Sequence, residues 1–473
     1  MDSLKEPLLA RRGGKAVPSA SPRSMTRLRS IGSASTTASP NTAELPVSSP
    51  ESLTPREAVA EADSKGKVAT TAPGRMATTV NLTGAILGAG ILSLPYSFQL
   101  AGWAAGVIVL GAGLLTGYTA ILIARSLERA MEVVPESERR GMPCDWPLLG
   151  YACFGEFGKK VVNAVFITDL WFTLMAFLVV NGSNMQELLP WISNAKLISF
   201  SGFLSYLLLF FPLHALSWLS VVGHLAMALA VLLVICTGIY NYSCGDMPEV
   251  SSYTWLHAPG IGQVVGIVVF CNVAHGTIPT IYRTCGCKSQ FPAVSAVSFA
   301  TSAGIYLITG SLGFLFFAGV AQQNMIGNIA RDLSGAMLAG LGALPRIASF
   351  GFVIKLQLIF PIYASPIVCV TEASLGFSES TSLMTKALWR AFVVACTTFT
   401  AVLLRDNMAD CLALTGSLLS MCTAIIFPTV FYFKLHRAQL SYGSCAILGA
   451  IVLFGLFFQV TGTIDSLIMI FGL

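Results

Sequence analysis

After residue 75 the chain alternates between apolar windows of about 20 residues, the length needed to cross a bilayer, and short polar connections. Reading the windows as membrane-crossing helices predicts eleven spans, near residues 77–98, 103–124, 161–181, 197–213, 215–239, 261–282, 293–319, 347–369, 386–404, 408–432 and 443–462. Only a turn around Pro212 and His214 separates the fourth from the fifth. The first window, MATTVNLTGAILGAGILSLPY (Met76 to Tyr96), carries Gly84, Gly88 and Gly90 at its middle. Glycine weakens a helix, and a helix that unwinds at bilayer depth leaves N–H and C=O groups without partners. Hydrocarbon tolerates this only where the backbone lines a cavity or a ligand. The pattern therefore predicts a binding site at the break.

If spans 1–5 and 6–10 form two inverted halves, the sixth span should be interrupted at the matching place. It reads VVFCNVAHGTIPTIYRTC, with His275-Gly276 followed by Pro279. A packed helix with an ordinary proline kink would account for Pro279 alone. Two interruptions in register favour a transporter.

Composition agrees with a membrane protein: 54% of the 473 residues are hydrophobic, 11% are charged and the mean hydropathy is +0.72. Of the 28 Lys and Arg residues, 23 fall in the N-terminal tail or in connections on the same side of the membrane. The opposite side holds Lys196, Arg331, Arg346 and Arg405, and Lys355 lies inside a span. The bias places the N-terminus in the cytoplasm and the C-terminus across the membrane. The net charge of +5 follows from that topology and implies no nucleic-acid partner. Residues 1–74 are rich in Ser, Thr, Pro, Ala and Arg and lack apolar periodicity, so they cannot bury enough surface to offset chain entropy. They are expected to form a disordered cytoplasmic tail open to phosphorylation and to trafficking or signalling partners, with an Arg/Ser-rich transit peptide as the competing reading. Residues 75–473 form the membrane domain. Glu6-Pro7-Leu8-Leu9 looks like a dileucine sorting signal, which favours a vacuolar or lysosomal membrane over the plasma membrane.

Asp169, His224, His275 and Lys355 lie within spans, and each is a functional candidate because charge in a bilayer is costly. Asp169 and Lys355 are candidates for a buried ion pair, either titrating during transport or fixed. For His275, a hydrogen-bonded packing role competes with a functional one. Most of the twelve cysteines lie inside spans, and Cys244 alone falls in a connection on the far side. Cys285-Gly286-Cys287 lacks the second pair and the histidine of a zinc site. Asn241-Tyr242-Ser243 is a glycosylation sequon on the far side, close to the membrane. No nucleophile-base pair, metal cluster or phosphate loop stands out, so neither an enzyme nor a cofactor is expected.

The chain resembles the amino acid/auxin permeases, which include vacuolar, proton-coupled and sodium-coupled neutral amino acid transporters. VNLTGAILGAGILSLPYSFQLAGW is similar to that family's opening helix and WPLLGYACFGEFGKKVV to its connection before the third span. FCNVAHGTIPTIY resembles its sixth span, and GSLLSMCTAIIFPTVFYFKL its tenth. The resemblance covers about 400 residues of the chain and implies an all-α polytopic fold of the bacterial leucine transporter type. That fold has ten core helices in two inverted halves, about 77–239 and 261–432 here, plus one extra helix near 443–462.

An amino acid substrate suits such breaks. N–H groups at a half-helix N-terminus attract its carboxylate, and freed carbonyls at a half-helix C-terminus accept its ammonium. The candidate substrate contacts are Gly88, Ala89, Gly90 and Ile91 in the first span, and Asn272, Ala274, His275 and Gly276 in the sixth. Close helix packing also calls for small residues in the first span. Asn81 matches an asparagine that sodium-coupled members use together with a hydroxyl on the eighth span. In GFVIKLQLIFPIYASP, Ile354 or Lys355 takes the hydroxyl's place. This departure favours a proton, or facilitated exchange, over sodium, with Asn81, Lys355 and Asp169 as coupling candidates. The expected activity is secondary amino acid transport by alternating access. An amino acid sensor signalling through its tail is the alternative, while a channel would need polar rings along several spans.

Overall fold

The computed structural model describes residues 74–139, 144–211, 213–286, 288–378 and 380–472. The expected tail up to residue 73, its sorting signal and Cys287 lie outside the described residues. Apart from one bridge between Arg331 and Met337, regular structure in the described residues is helical. The first span consists of α1 (Arg75–Ile86), a 3-10 turn (Ala89–Ser93) and α2 (Leu94–Ala101), bent by 51° at the break. α3 (Ala104–Val133), α4 (Trp146–Leu188), α5 (Asn194–Leu208) and α6 (Leu213–Ser243) complete the first half. The second half opens on α7 (Ile261–Cys271), a 3-10 turn (His275–Thr277) and α8 (Ile278–Thr284). It continues with α9 (Phe291–Phe317), α10 (Ala343–Ser374), α11 (Leu383–Leu403), α12 (Met408–Thr415) and α13 (Phe427–His436). α14 (Tyr442–Phe471) follows.

Among the described residues, nine helical stretches are long and apolar enough to cross a membrane, or ten with the bent first span counted as one. The fourth expected span, near 197–213, corresponds to α5, whose 15 residues reach only about 22 Å at 1.5 Å per residue. That is short of the roughly 30 Å hydrocarbon core. An apolar window in sequence does not distinguish a full crossing from a short helix wedged among others.

Two departures from regular helix position the site. α4 turns a corner at Phe154 and Gly155, where Gly155 takes φ 63°, a left-handed conformation that costs other residues about 1–2 kcal/mol. Gly150 and Gly158 then face each other across the corner, each leaving no room for a Cβ on the other. Between α12 and α13 the tenth span runs through two π-helical turns, Gly416–Ser420 and Cys422–Ile426. Such turns insert an extra residue and re-aim side chains. The sixth and tenth spans are the most enclosed, whereas α11 and α14 face outward along most of their length. Gly266 and Gly416 bring the backbones of the sixth and tenth spans into contact, where any side chain would overlap the opposing carbonyls. This is the small-residue packing that membrane helices use in place of a hydrophobic drive.

Candidate functional site

The first span stops being helical at Leu87 (ψ 85°) and Gly88 (φ −104°, ψ −167°). Three carbonyls at the end of α1 find donors on other helices. Gly84 O accepts from His224 Nε2 at 2.8 Å, Ile86 O from the Tyr306 hydroxyl at 2.8 Å and Leu87 O from Lys355 Nζ at 3.1 Å. The ammonium thus lies at the C-terminal, negative end of a half-helix, where the backbone dipole favours a cation. Lys355 is 4% exposed, and its stem fills the space that Gly223 leaves open on α6. Ala89, Gly90 and Ile91 are buried, and Gly88 is half-buried. Gly90 packs directly on Cys271, so the two broken spans touch at their breaks.

Tyr306, fully buried on α9, joins them: its hydroxyl reaches Cys271 O at 2.9 Å as well as Ile86 O. One hydroxyl hydrogen is thereby shared by one carbonyl from each break. Beyond Cys271 the sixth span is non-helical at Asn272 and Ala274. Asn272 Nδ2 donates back to Val268 O at 2.9 Å, but its Oδ1 is buried without a partner. His275 Nε2 lies 3.2 Å from Thr116 O and 3.0 Å from Thr119 Oγ1. A carbonyl only accepts, so Nε2 carries the proton, and Nδ1, buried and unpartnered, is left as an acceptor. Ala274 is buried, and Gly276 lies under Phe166 of α4, which stacks on Trp146. Trp146 Nε1 in turn donates to His275 O at 3.3 Å. Asp145 caps that helix start through the Trp146 N–H; burial pushes its carboxyl above the ordinary range, more than this bond lowers it.

The ion pair expected between Asp169 and Lys355 is absent among the described residues. Asp169 instead accepts from Ser420 Oγ at 3.0 Å and Thr423 Oγ1 at 2.9 Å, two hydroxyls that the π-helical turns bring onto one face. Asn81 is exposed on α1. The sequon is closed as well: Asn241 is 2% exposed and its Nδ2 donates to Arg331 O at 3.0 Å. No group of His, Cys, Asp or Glu able to hold a metal occurs among the described residues.

Sequence reasoning missed Tyr306, Ser420 and Thr423, because a tyrosine in an apolar window and hydroxyls in a small-residue stretch carry no signal of which carbonyl or carboxylate they meet. Two cavities, of about 90 Å³ and 240 Å³, flank α10 and α11 and are not lined by residues of either break. The breaks themselves are closely packed where Gly90 meets Cys271 and Gly276 meets Phe166. On the face where α2 ends, the connection after α9 closes over them: Gln323 O accepts from Ser93 Oγ at 2.7 Å, and Asn324 Nδ2 donates to Asn184 Oδ1 at 2.8 Å. Arg331 pairs with Glu187 at 2.9 Å.

Two broken spans meeting at their unwound segments inside a helical membrane domain define a transporter-type fold. The description "transmembrane amino acid transporter protein" matches residues 74–469, and the chain belongs to that family. Amino acid transporter AVT1J of Arabidopsis thaliana is 26% identical over 402 residues, covering 82% of this chain and 89% of its own. AVT1D of the same plant is 24% identical over 412 residues, covering 82% and 69%. The crystal structure of MhsT in complex with L-phenylalanine matches 81% of this chain and 98% of its own with a TM-score of 0.50 at 12% identity, a likeness of fold.

Proposed function

We propose that the protein is a secondary transporter that carries amino acids across its membrane by alternating access, with a proton as the coupling ion. The observation that carries the substrate reading is the pair of buried acceptors left over at the second break, Asn272 Oδ1 and His275 Nδ1. Buried acceptors are ordinarily satisfied, and a substrate ammonium brings the donors that this segment lacks. Backbone N–H groups from Ala89 to Ile91, at the start of the outer half of the first span, suit the carboxylate. The closed connection over α2 and the packed breaks suit an occluded stage of the cycle.

The coupling reading rests on Lys355. An ammonium fixed at Leu87 O occupies a cation's place at the unwound end of α1, and that leaves no need for sodium there. The Lys and Arg bias supports an N-terminus in the cytoplasm, and we assign the protein to a vacuolar or lysosomal membrane, with its outer face toward an acidic lumen. The test is purified protein in liposomes, offered labelled amino acids under imposed proton or sodium gradients. A proton gradient should drive uptake without sodium, and Lys355→Met should abolish that drive, lowering uptake at least tenfold. Lys355→Met uptake matching the unmodified protein across pH 5 to 8 would reject the coupling role, and sodium-dependent uptake would reject the proton.

A further inference from the structure

At the outer face, defined by the end of α2, a second buried carboxylate lies outside the site described above. Asp410 stands in the first turn of α12 and is 8% exposed. Its Oδ1 accepts a hydrogen bond from Gln263 Nε2 on α7, itself 3% exposed. No Lys, Arg or His pairs with Asp410 among the described residues. The neighbouring Arg405 is engaged with exposed Asp406 at 3.4 Å, and Glu187 of α4 with Arg331. The other titratable groups facing this corner are all acidic or neutral. Tyr96 comes from α2 and lies near both Asp410 and Gln323. Cys411 comes from α12 itself. Asp465 comes from α14 and lies against Gly262, the residue before Gln263. Gln323 completes the corner, its Oε1 accepting from Ala409 N at 3.1 Å while its carbonyl takes the Ser93 hydroxyl.

α2, α7 and the connection after α9 therefore gather around the start of α12, which carries this carboxylate. Burying a bare carboxylate costs several kcal/mol unless a cation or several donors face it, and a single amide N–H is too little. A carboxylic acid is a different partner. It carries no charge to desolvate, and its oxygen can still accept the Gln263 N–H.

We propose that Asp410 is a proton-binding residue of the transport cycle, loaded from the compartment at the outer face, and that its neutral form permits the outer ends of the first, sixth and tenth spans to close. The step is a simple protonation: hydronium gives its proton to the carboxylate, and water leaves as the corner shuts. The sign follows from burial. The closed form hides Asp410 and so favours the protonated state, while an open form that wets it favours release. Acid at the outer face thus promotes closure, and neutral pH holds the outer end open. This inference rests on the proton-coupled reading and adds a second residue to it, about one span's half-length from the breaks.

The experiment uses full-length protein in liposomes with the pH of the two faces set independently. Two assays are run: net uptake driven by a proton gradient, and exchange of labelled for unlabelled amino acid without a gradient. Asp410→Asn fixes the neutral form. We expect exchange to continue while net uptake loses its response to outer-face pH, changing less than twofold between pH 5 and 8. Gln263→Leu keeps the carboxyl but removes the donor to its charged form, and it should move the midpoint of the outer-face pH response upward by about one unit. If the unmodified protein shows no proton drive, the coupling reading itself fails. If it shows proton drive and Asp410→Asn keeps the unmodified pH response, only the role of Asp410 is overturned. Loss of exchange in an Asp410→Asn protein that remains monodisperse, or an unmoved midpoint in Gln263→Leu, overturns it equally.

Discussion

The two broken spans solve the same problem in opposite ways. At the first break the freed carbonyls are taken up by the protein: Gly84 O by His224, Ile86 O by Tyr306 and Leu87 O by Lys355. At the second, Cys271 O and His275 O are met by Tyr306 and Trp146, yet Asn272 Oδ1 and His275 Nδ1 are left buried with nothing to accept from. An unmet buried acceptor costs about 1–3 kcal/mol, so this asymmetry must be offset by something that binds there or by the shape of the fold. On the proposed function, the first break holds a conformation and the second receives a donor from the substrate. Changes at the first should therefore alter the rate of the cycle, and changes at the second should alter affinity.

The largest effect is expected at Tyr306, the one side chain common to both breaks. Tyr306→Phe keeps the ring and strips the shared hydrogen from Ile86 O and Cys271 O. A penalty of about 1–3 kcal/mol in the conformer where the breaks abut lowers its population roughly 5- to 150-fold, so the maximum rate of uptake should fall by that factor with KM little changed. A normal maximum rate would mean that the hydroxyl does not hold the breaks together. Asn272→Leu comes next. It removes the unpartnered Oδ1 at nearly constant volume, and it should raise KM about five- to tenfold, roughly 1–1.4 kcal/mol, while the maximum rate is held. Asn272→Asp, which keeps an acceptor, should restore affinity. If both variants changed only the maximum rate, the distinction between the two breaks would fail.

Both interruptions were legible in the sequence, because glycines at Gly84, Gly88 and Gly90 and the pair His275-Gly276 before Pro279 stand out against apolar windows. Periodicity and composition also sufficed for a helical membrane fold. Partners across helices were not legible. Lys355 meets the Leu87 carbonyl, not Asp169, because the register of α10 against α1 and α6 is set by packing at Gly223, and no local pattern encodes it. Asp169 finds Ser420 and Thr423 only because the tenth span is π-helical there. A 3.6-residue period cannot anticipate that extra turn. The crossing expected at α5 is not confirmed for a related reason, since hydropathy records what is apolar and not how far a helix extends.

The smallest effect tests whether the second break's acceptor is fixed by backbone or by side chain. His275 Nε2 has two partners, Thr116 O at 3.2 Å and Thr119 Oγ1 at 3.0 Å. The Thr119 hydroxyl has a partner of its own in Thr116 O at 3.1 Å, so it has only lone pairs to offer the ring. Thr119→Val is isosteric and removes the hydroxyl while leaving the carbonyl, which by itself requires the proton to stay on Nε2. Nδ1 then remains an acceptor, and the loss is one neutral hydrogen bond of about 0.5–1 kcal/mol, seen as a two- to fivefold rise in KM in the same uptake assay. A rise as large as that of Asn272→Leu would show that the hydroxyl, and not the Thr116 carbonyl, sets the ring's tautomer. The affinity of the second break would then depend on α3 side-chain chemistry, which the first break does not use at all.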